Sequence, residues 1–272
     1  MKGEEFPELG KDFVVDTETT GLYWWRDKVF SFGVCTLDGK VSRYYDLRRT
    51  PKAIQYLKAQ VKKARRVIAH NVKFDTHMLR EAGVSIDPDK LHCTQTRAAL
   101  CNEHELAYTL DNLARVYLKR RKVKVSVDKD KLIDLPFEEA QEYCLEDIAL
   151  CRDLFNLQEK EIENQDLYEV LALERRLLPH LLQQERDGIR IDVDAAERSI
   201  VDFDKRIIVM QRQLDKAAGF AVNPNPSGSI HQLFAPKQGK DGIWRAKDGT
   251  PLTTTPAGKP SLGAEALKEM KD

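Results

Sequence analysis

The apolar run Phe13-Val14-Val15 leads straight into Asp16 and Glu18, within VVDTETTGL (residues 14–22). Alternation along a strand sends residues i and i+2 to one face, so both carboxylates point the same way. Adjacent like charges resist joint ionisation unless something positive lies between them. The chain must therefore enclose this strand while leaving its acidic end open to cations.

The surrounding pattern predicts class α/β. Residues 13–18, 29–37 and 41–47 carry strand signals, and Asp38-Gly39 joins the last two as a hairpin. Pro51 opens a helix over AIQYLKAQVKKA, RVIAH (66–70) is a short apolar strand, and FDTHMLREAG (74–83) is a helix stopped by Gly83. Residues 94–118 are expected to be mostly helical. Pro136 starts a helix whose apolar positions recur at helical spacing from Phe137 to Phe155. Three strands, a helix, a strand and then helices describe a mixed sheet flanked by helices. Two further helices, about 166–187 with a kink at Pro179 and about 193–218, form an arm. Residues 219–263 hold 7 of the 14 Gly and 6 of the 11 Pro, which marks a loop-rich segment. GAEALKEMKD then restarts a helical pattern. The expected organisation is a domain over 1–160, then a helical arm and loop-rich C-terminal segment over 161–272.

Lys+Arg and Asp+Glu both number 44, so the signal of an overall basic nucleic-acid binder is absent. Local basic tracks remain at KKARR (62–66) and KRRKVK (119–124), which suit phosphate contacts and solvated faces equally. The basic residues scattered through 237–259 leave the same choice. Five cysteines, an odd number without CxxC, indicate reduced thiols in a cytoplasmic protein. No apolar stretch resembles a signal peptide or reaches membrane length, so no membrane partner is expected. His92, Cys93, Cys101 and His104 match no common zinc spacing, and His70 reads as structural. Trp24 and Trp25 fit either packing under a loop or stacking on unpaired bases.

Two more polar islands interrupt apolar elements: HNVKFD (70–75) and YCLED (143–147). A helical turn places Asn71, Phe74 and Asp75 on one face, and Tyr143 and Asp147 are neighbours at i and i+4. With the first pair, the chain offers Asp16, Glu18, Asp75 and Asp147 beside Tyr143. Oxygen-only donors favour Mg²⁺ or Mn²⁺ over zinc. Two such cations roughly 4 Å apart form a clamp for in-line attack on a phosphodiester. Tyr143, with an ordinary pKa of about 10, is a poor base and suits a hydrogen bond to the attacking water, with Glu18 as its partner. Metal ions lying between Asp16 and Glu18 would satisfy the charge requirement.

As an ordered set, DTETTGL, HNVKFD and YCLED resemble the three motifs of DEDDy-type 3′→5′ exonucleases, in particular the proofreading domain of family A DNA polymerases of the Pol I and phage type. TLDNLARVYL (109–118) also fits, and the resemblance covers about residues 10–160. LERRLLPHLLQQERDGIRID (173–192) looks like the helix that leaves such a domain, while NPNPSGSIHQLF and TTTPAGKPSLGAEALKEM resemble an early polymerase thumb. The resemblance implies a ribonuclease H-like mixed sheet. It implies that Asp16, Glu18 and Asp147 hold one divalent cation, that Asp16 bridges to a second, and that Asp75 binds the second through water. It assigns Leu22, Asn71 and Phe74 to the terminal nucleotide and the Thr19 backbone to the terminal 3′-hydroxyl. Cys93 stands where many relatives have Asp. Polymerase palm and fingers motifs are absent, so the chain is expected to be either part of a polymerase or a separate nuclease. The implied function is a 3′→5′ exonuclease using two Mg²⁺ or Mn²⁺ ions on single-stranded DNA 3′ ends or primer–template DNA, with a polymerase module as partner. Two alternatives are a ribonuclease D-like exoribonuclease, which shares the acid set, and an inactive scaffold that binds DNA or a polymerase.

Overall fold

Strand β1 (Asp12–Thr19) lies at the centre of a five-stranded sheet ordered β3-β2-β1-β4-β5. It runs antiparallel to β2 (Val29–Thr36) and parallel to β4 (Arg66–Ala69). Strand β3 (Ser42–Asp46) extends the antiparallel side, and β5 (Leu91–Cys93) the parallel side. In this computed structural model the described residues are 6–123, 125, 129–223 and 227–263.

The mixed sheet follows from its connections. The β2–β3 hairpin turns where Gly39 adopts φ +71° and Thr36 donates its hydroxyl to Asp38 at 2.6 Å. The parallel neighbours are reached through helices, as parallel pairing requires. Helices α1 (Ala53–Lys63) and α2 (Val72–Glu81) close a core over Phe13, Val15, Phe32 and Val34 using Leu57, Val61 and Leu79. The other face meets α3 (Thr94–Cys101), α4 (Leu110–Leu113) and the long α5 (Phe137–Asn164), whose Ile148, Leu154 and Phe155 join Val14, Cys35 and Ile68. Val14 and Val15 thus feed opposite layers, as strand alternation demands. This is the ribonuclease H-like arrangement expected.

The structure adds detail to the sequence reading at three places. Strand β5 escapes the sequence reading because three residues are too short to display a period. The span 94–118 is mostly helical, as expected, in separate pieces: α3 ends at Cys101, and a π-helical turn over Ala114–Leu118 follows α4. The second helix begins at Val72, two residues earlier than expected.

The chain divides into two compact units at Gly188/Ile189. The first takes in α6 (Tyr168–Asp187) as well as the span expected for the catalytic domain. Helix α6 contains Pro179, buries Leu182 in the core, and ties Arg186 to Glu81 at 2.9 Å. In the second unit, Asp192 caps α7 (Val193–Ala218) by accepting from the Ala195 amide at 2.9 Å, and Gly219 ends it at φ +80°. Helix α8 (Ser227–Phe234) and a short ribbon of β6 (Lys237–Gln238) and β7 (Trp244–Arg245) follow. The helix expected within GAEALKEMKD lies, from residue 264 on, outside the described residues. Among the described residues, no helix is long and apolar enough to cross a membrane.

Candidate active site

The acidic cluster forms where three elements meet at the end of β1. Asp16 and Glu18 share the face turned toward α5, and their carboxylates lie within 4.8 Å of each other and of the Cys144 thiol. Asp16 pairs with Gly33 across the ladder to β2; a side chain there would sit 2.7 Å from Cys144 Sγ, so the glycine lets α5 come close. The ladder slips between Glu18 and Thr19, a bulge at the mouth of the site.

Helix α2 supplies Asp75 and α5 supplies Asp147, both buried. Thr17 points away from its acidic neighbours and donates to Asp75 Oδ1 from its amide at 3.0 Å and from its hydroxyl at 2.7 Å. The sequence reading passed over Thr17, although alternation assigns it to the opposite face. Tyr143 stands one helical turn before Asp147, as its spacing requires.

Crowding raises the acids. Asp16 is pushed well above the ordinary range by burial, then by Asp75, Glu18 and Asp147. Glu18 rises to about 8 through burial and the charge of Asp147. Asp75 rises to about 7 through burial, and the Thr17 hydrogen bonds oppose the rise. Burial, followed by the nearby acids, also raises the Cys144 thiol, so this neighbour is a neutral SH and the charged donors are oxygens. Glu18 Oε1 is buried without a hydrogen-bond partner among the described residues. A buried lone pair left open beside other carboxylates suits a hard cation.

One cation is already present in the cluster. Lys122 pairs with Asp147 Oδ2, donates to the Tyr143 hydroxyl oxygen at 3.1 Å, and lies 4.7 Å from that ring's centroid. Beside it, Arg120 reaches Glu146 and Asp153 of α5 at 2.8 and 2.7 Å, Arg121 faces solvent, and Lys122 turns inward. Within KRRKVK, Arg120 and Lys122 are therefore engaged with α5, while Lys119 and Arg121 are exposed. Tyr143 also departs from its expected ordinary pKa: burial and Asp147 push it to about 12.

A model of the 3′-5′ exonuclease family of DNA polymerase A matches residues 4–163. The chain belongs to this family. It is 45% identical to DNA polymerase DpoZ of Salmonella phage PMBT28 over 98% of its own length and 45% of the relative's, so it spans a little under half of that curated relative. Its fold is similar to the POL domain of Pol1 from M. smegmatis in complex with DNA primer-template and dNTP: TM-score 0.67, 19% identity, 96% of this chain and 41% of that one. It is also similar to Brucella melitensis NrnC with bound Mg²⁺: TM-score 0.56, 21% identity, 67% of this chain and 90% of that one.

The other residues expected at the site come from segments next in sequence to the acids. Asn71 occupies the N-cap position of α2, exposed, with left-handed φ 58° and no side-chain cap bond. That backbone takes it out of the helical turn expected to align it with Phe74 and Asp75. Phe74 is half-buried, and its amide donates to the Asn71 carbonyl at 3.0 Å. Thr19 is half-buried and donates its hydroxyl to the Gly21 carbonyl at 2.7 Å, whereas Leu22 is 76% exposed in the loop before β2. Trp24 is packed in that loop, stacked on His77 and covered by Arg186, while Trp25 is 67% exposed. His70 is held between Thr94 and the Tyr108 carbonyl, and burial lowers its pKa to about 4.

Proposed function

We propose that the chain removes nucleotides from single-stranded or frayed DNA 3′ ends, with Asp16, Glu18, Asp75 and Asp147 holding two divalent cations, Mg²⁺ or Mn²⁺. The observation that carries this reading is the cluster itself: four carboxylates gathered around β1, three of them raised by burial and one with an open buried oxygen. When bound, the cations supply charge neutralisation of the phosphodiester and a lowered pKa for the attacking water.

The chain's own groups orient that water. Glu18 accepts one of its protons, and the Tyr143 hydroxyl, protonated at neutral pH, donates to its oxygen. The free lone pair then faces phosphorus. The new P–O bond forms as the bond to the preceding 3′-oxygen breaks; that oxygen takes up a proton and a 5′-mononucleotide leaves. Exposed Leu22, with Asn71 and Phe74, flanks the place assigned to the terminal nucleotide, and Thr19 the place assigned to its 3′-hydroxyl.

The phage relative's name supports DNA as substrate and a polymerase setting. We assign residues 1–160 to the exonuclease domain and 161–272 to a connector and thumb-like segment, in keeping with a family match that ends at 163. Helix α7 leaves Phe203, Ile207, Ile208 and Met210 exposed, an apolar face suited to a polymerase module.

The test uses matched 5′-labelled DNA and RNA oligonucleotides with Mn²⁺ or EDTA. DNA should shorten stepwise from its 3′ end with Mn²⁺ alone, and Asp16→Ala should remove that activity while keeping the fold. Faster loss of RNA would favour the exoribonuclease alternative. Binding without cleavage would favour the scaffold.

A further inference from the structure

Lys122 is a charged feature of the cluster that the functional reading leaves without a task. It is mostly buried, it reaches two residues assigned to the chemistry, and a neighbouring pair of ion pairs from Arg120 to α5 fixes the segment that carries it. An ammonium has three donors and no acceptor. In its contact with Tyr143 the phenol oxygen must therefore accept, and the single phenol proton must point elsewhere. The same ammonium lies against Asp147, an oxygen donor that the proposed reaction gives to a divalent cation.

We propose that Lys122 is a positioning residue of this exonuclease: it fixes the Tyr143 hydroxyl as a donor to the attacking water and holds Asp147 in competition with the incoming divalent cation. The inference rests on the assignment of Asp147 as a metal ligand. Lys122 stays protonated throughout and transfers no proton. Its charge keeps Asp147 placed before metal enters, and once metal is bound its contact with Tyr143 maintains the rotor. The contact with Tyr143 is independent of Asp147, so loss of Asp147 to the metal does not release the ammonium.

Charge and hydrogen bonding can be separated by substitution. Lys122→Met removes both; Lys122→Gln removes the charge and keeps an N–H donor. Mn²⁺ affinity of the full chain, measured by calorimetry without DNA, should tighten about tenfold in both variants, because a competing positive charge beside Asp147 is gone. On a DNA oligonucleotide at saturating Mn²⁺, kcat should fall about 10- to 100-fold in Lys122→Met and less in Lys122→Gln. A purely structural lysine would lower thermal stability and leave Mn²⁺ affinity unchanged or weaker. Unchanged or weaker binding in folded Lys122→Gln, with Asp147→Asn abolishing binding as expected, would overturn the role of Lys122 alone. Full Mn²⁺ binding by Asp147→Asn would overturn the ligand assignment beneath it.

Discussion

Gly33→Ala tests whether the distance between β2 and α5 sets the geometry of the site. A Cβ at this position would lie 2.7 Å from Cys144 Sγ, 3.1 Å from Ile148 Cγ2 and 3.3 Å from Ile148 Cδ1. Comfortable contact needs about 3.5–4.0 Å, so α5 must retreat by about 1 Å. Overpacking of this kind costs about 1–3 kcal/mol of stability. Helix α5 also carries Tyr143 and Asp147, and a misplacement of about 1 Å in such groups costs about 10²-fold in rate. The expected outcome is a lower melting temperature and a kcat reduced about 100-fold on a 5′-labelled oligonucleotide. Adding Cys144→Ala removes the atom in closest conflict and leaves the two Ile148 contacts, so the double variant should recover most of the lost rate. Cys144→Ala alone should cost little, since the thiol is a neutral neighbour of the acids. A Gly33→Ala protein with wild-type kcat, or one that Cys144→Ala fails to rescue, would refute the claim that this contact positions the catalytic side chains.

Two further outcomes follow from the electrostatics. Glu18 titrates at about 8 and Asp75 at about 7 in the folded chain, above their ordinary values, so the fold holds protons that the unfolded chain releases. Their contribution to stability is complete below about pH 4 and is lost as pH rises through 7 to 8; Mg²⁺ should therefore raise the melting temperature more at pH 8 than at pH 6, and equal gains at both would contradict the cluster's role. Thr17→Val keeps the amide bond to Asp75 but removes the 2.7 Å hydroxyl bond; urea unfolding should show a loss of about 1–2 kcal/mol, and exonuclease rate should fall about tenfold as Asp75 loosens.

The acids were legible because each interrupts an apolar element, and an interruption of that kind has few structural uses. The sheet's centre was legible for a related reason: β1 is long enough to display alternation and is bounded by charge. What escaped was set by contacts between distant segments. Gly33 looks like any strand glycine until Cys144 is placed 2.7 Å from its missing Cβ. Thr17 is masked by the acids on either side of it. Asn71 was expected on a helical turn with Phe74 and Asp75, but its φ of 58° depends on the turn out of β4 and not on its identity alone. Lys122 lay inside a basic run, and composition cannot say which member of such a run turns inward.

The charge count explains why a resident lysine and divalent cations belong in the same site. Strand alternation required a positive charge near Asp16 and Glu18 without naming it, and Lys122 meets that demand in part. One ammonium against four ionised carboxylates leaves three negative charges uncompensated; burial raises Asp16, Glu18 and Asp75, and the neighbouring acids raise Asp16 and Glu18 further even with Lys122 in place. In the proposed loaded state, two divalent cations carry the cluster one charge past neutrality. A scissile phosphodiester brings one negative charge. With Lys122 present, the metal-loaded pocket therefore attracts substrate and becomes neutral on binding it; with a neutral residue at that position, it is already neutral before substrate arrives. The lysine thus opposes metal entry and favours phosphate entry, and both effects come from the same charge.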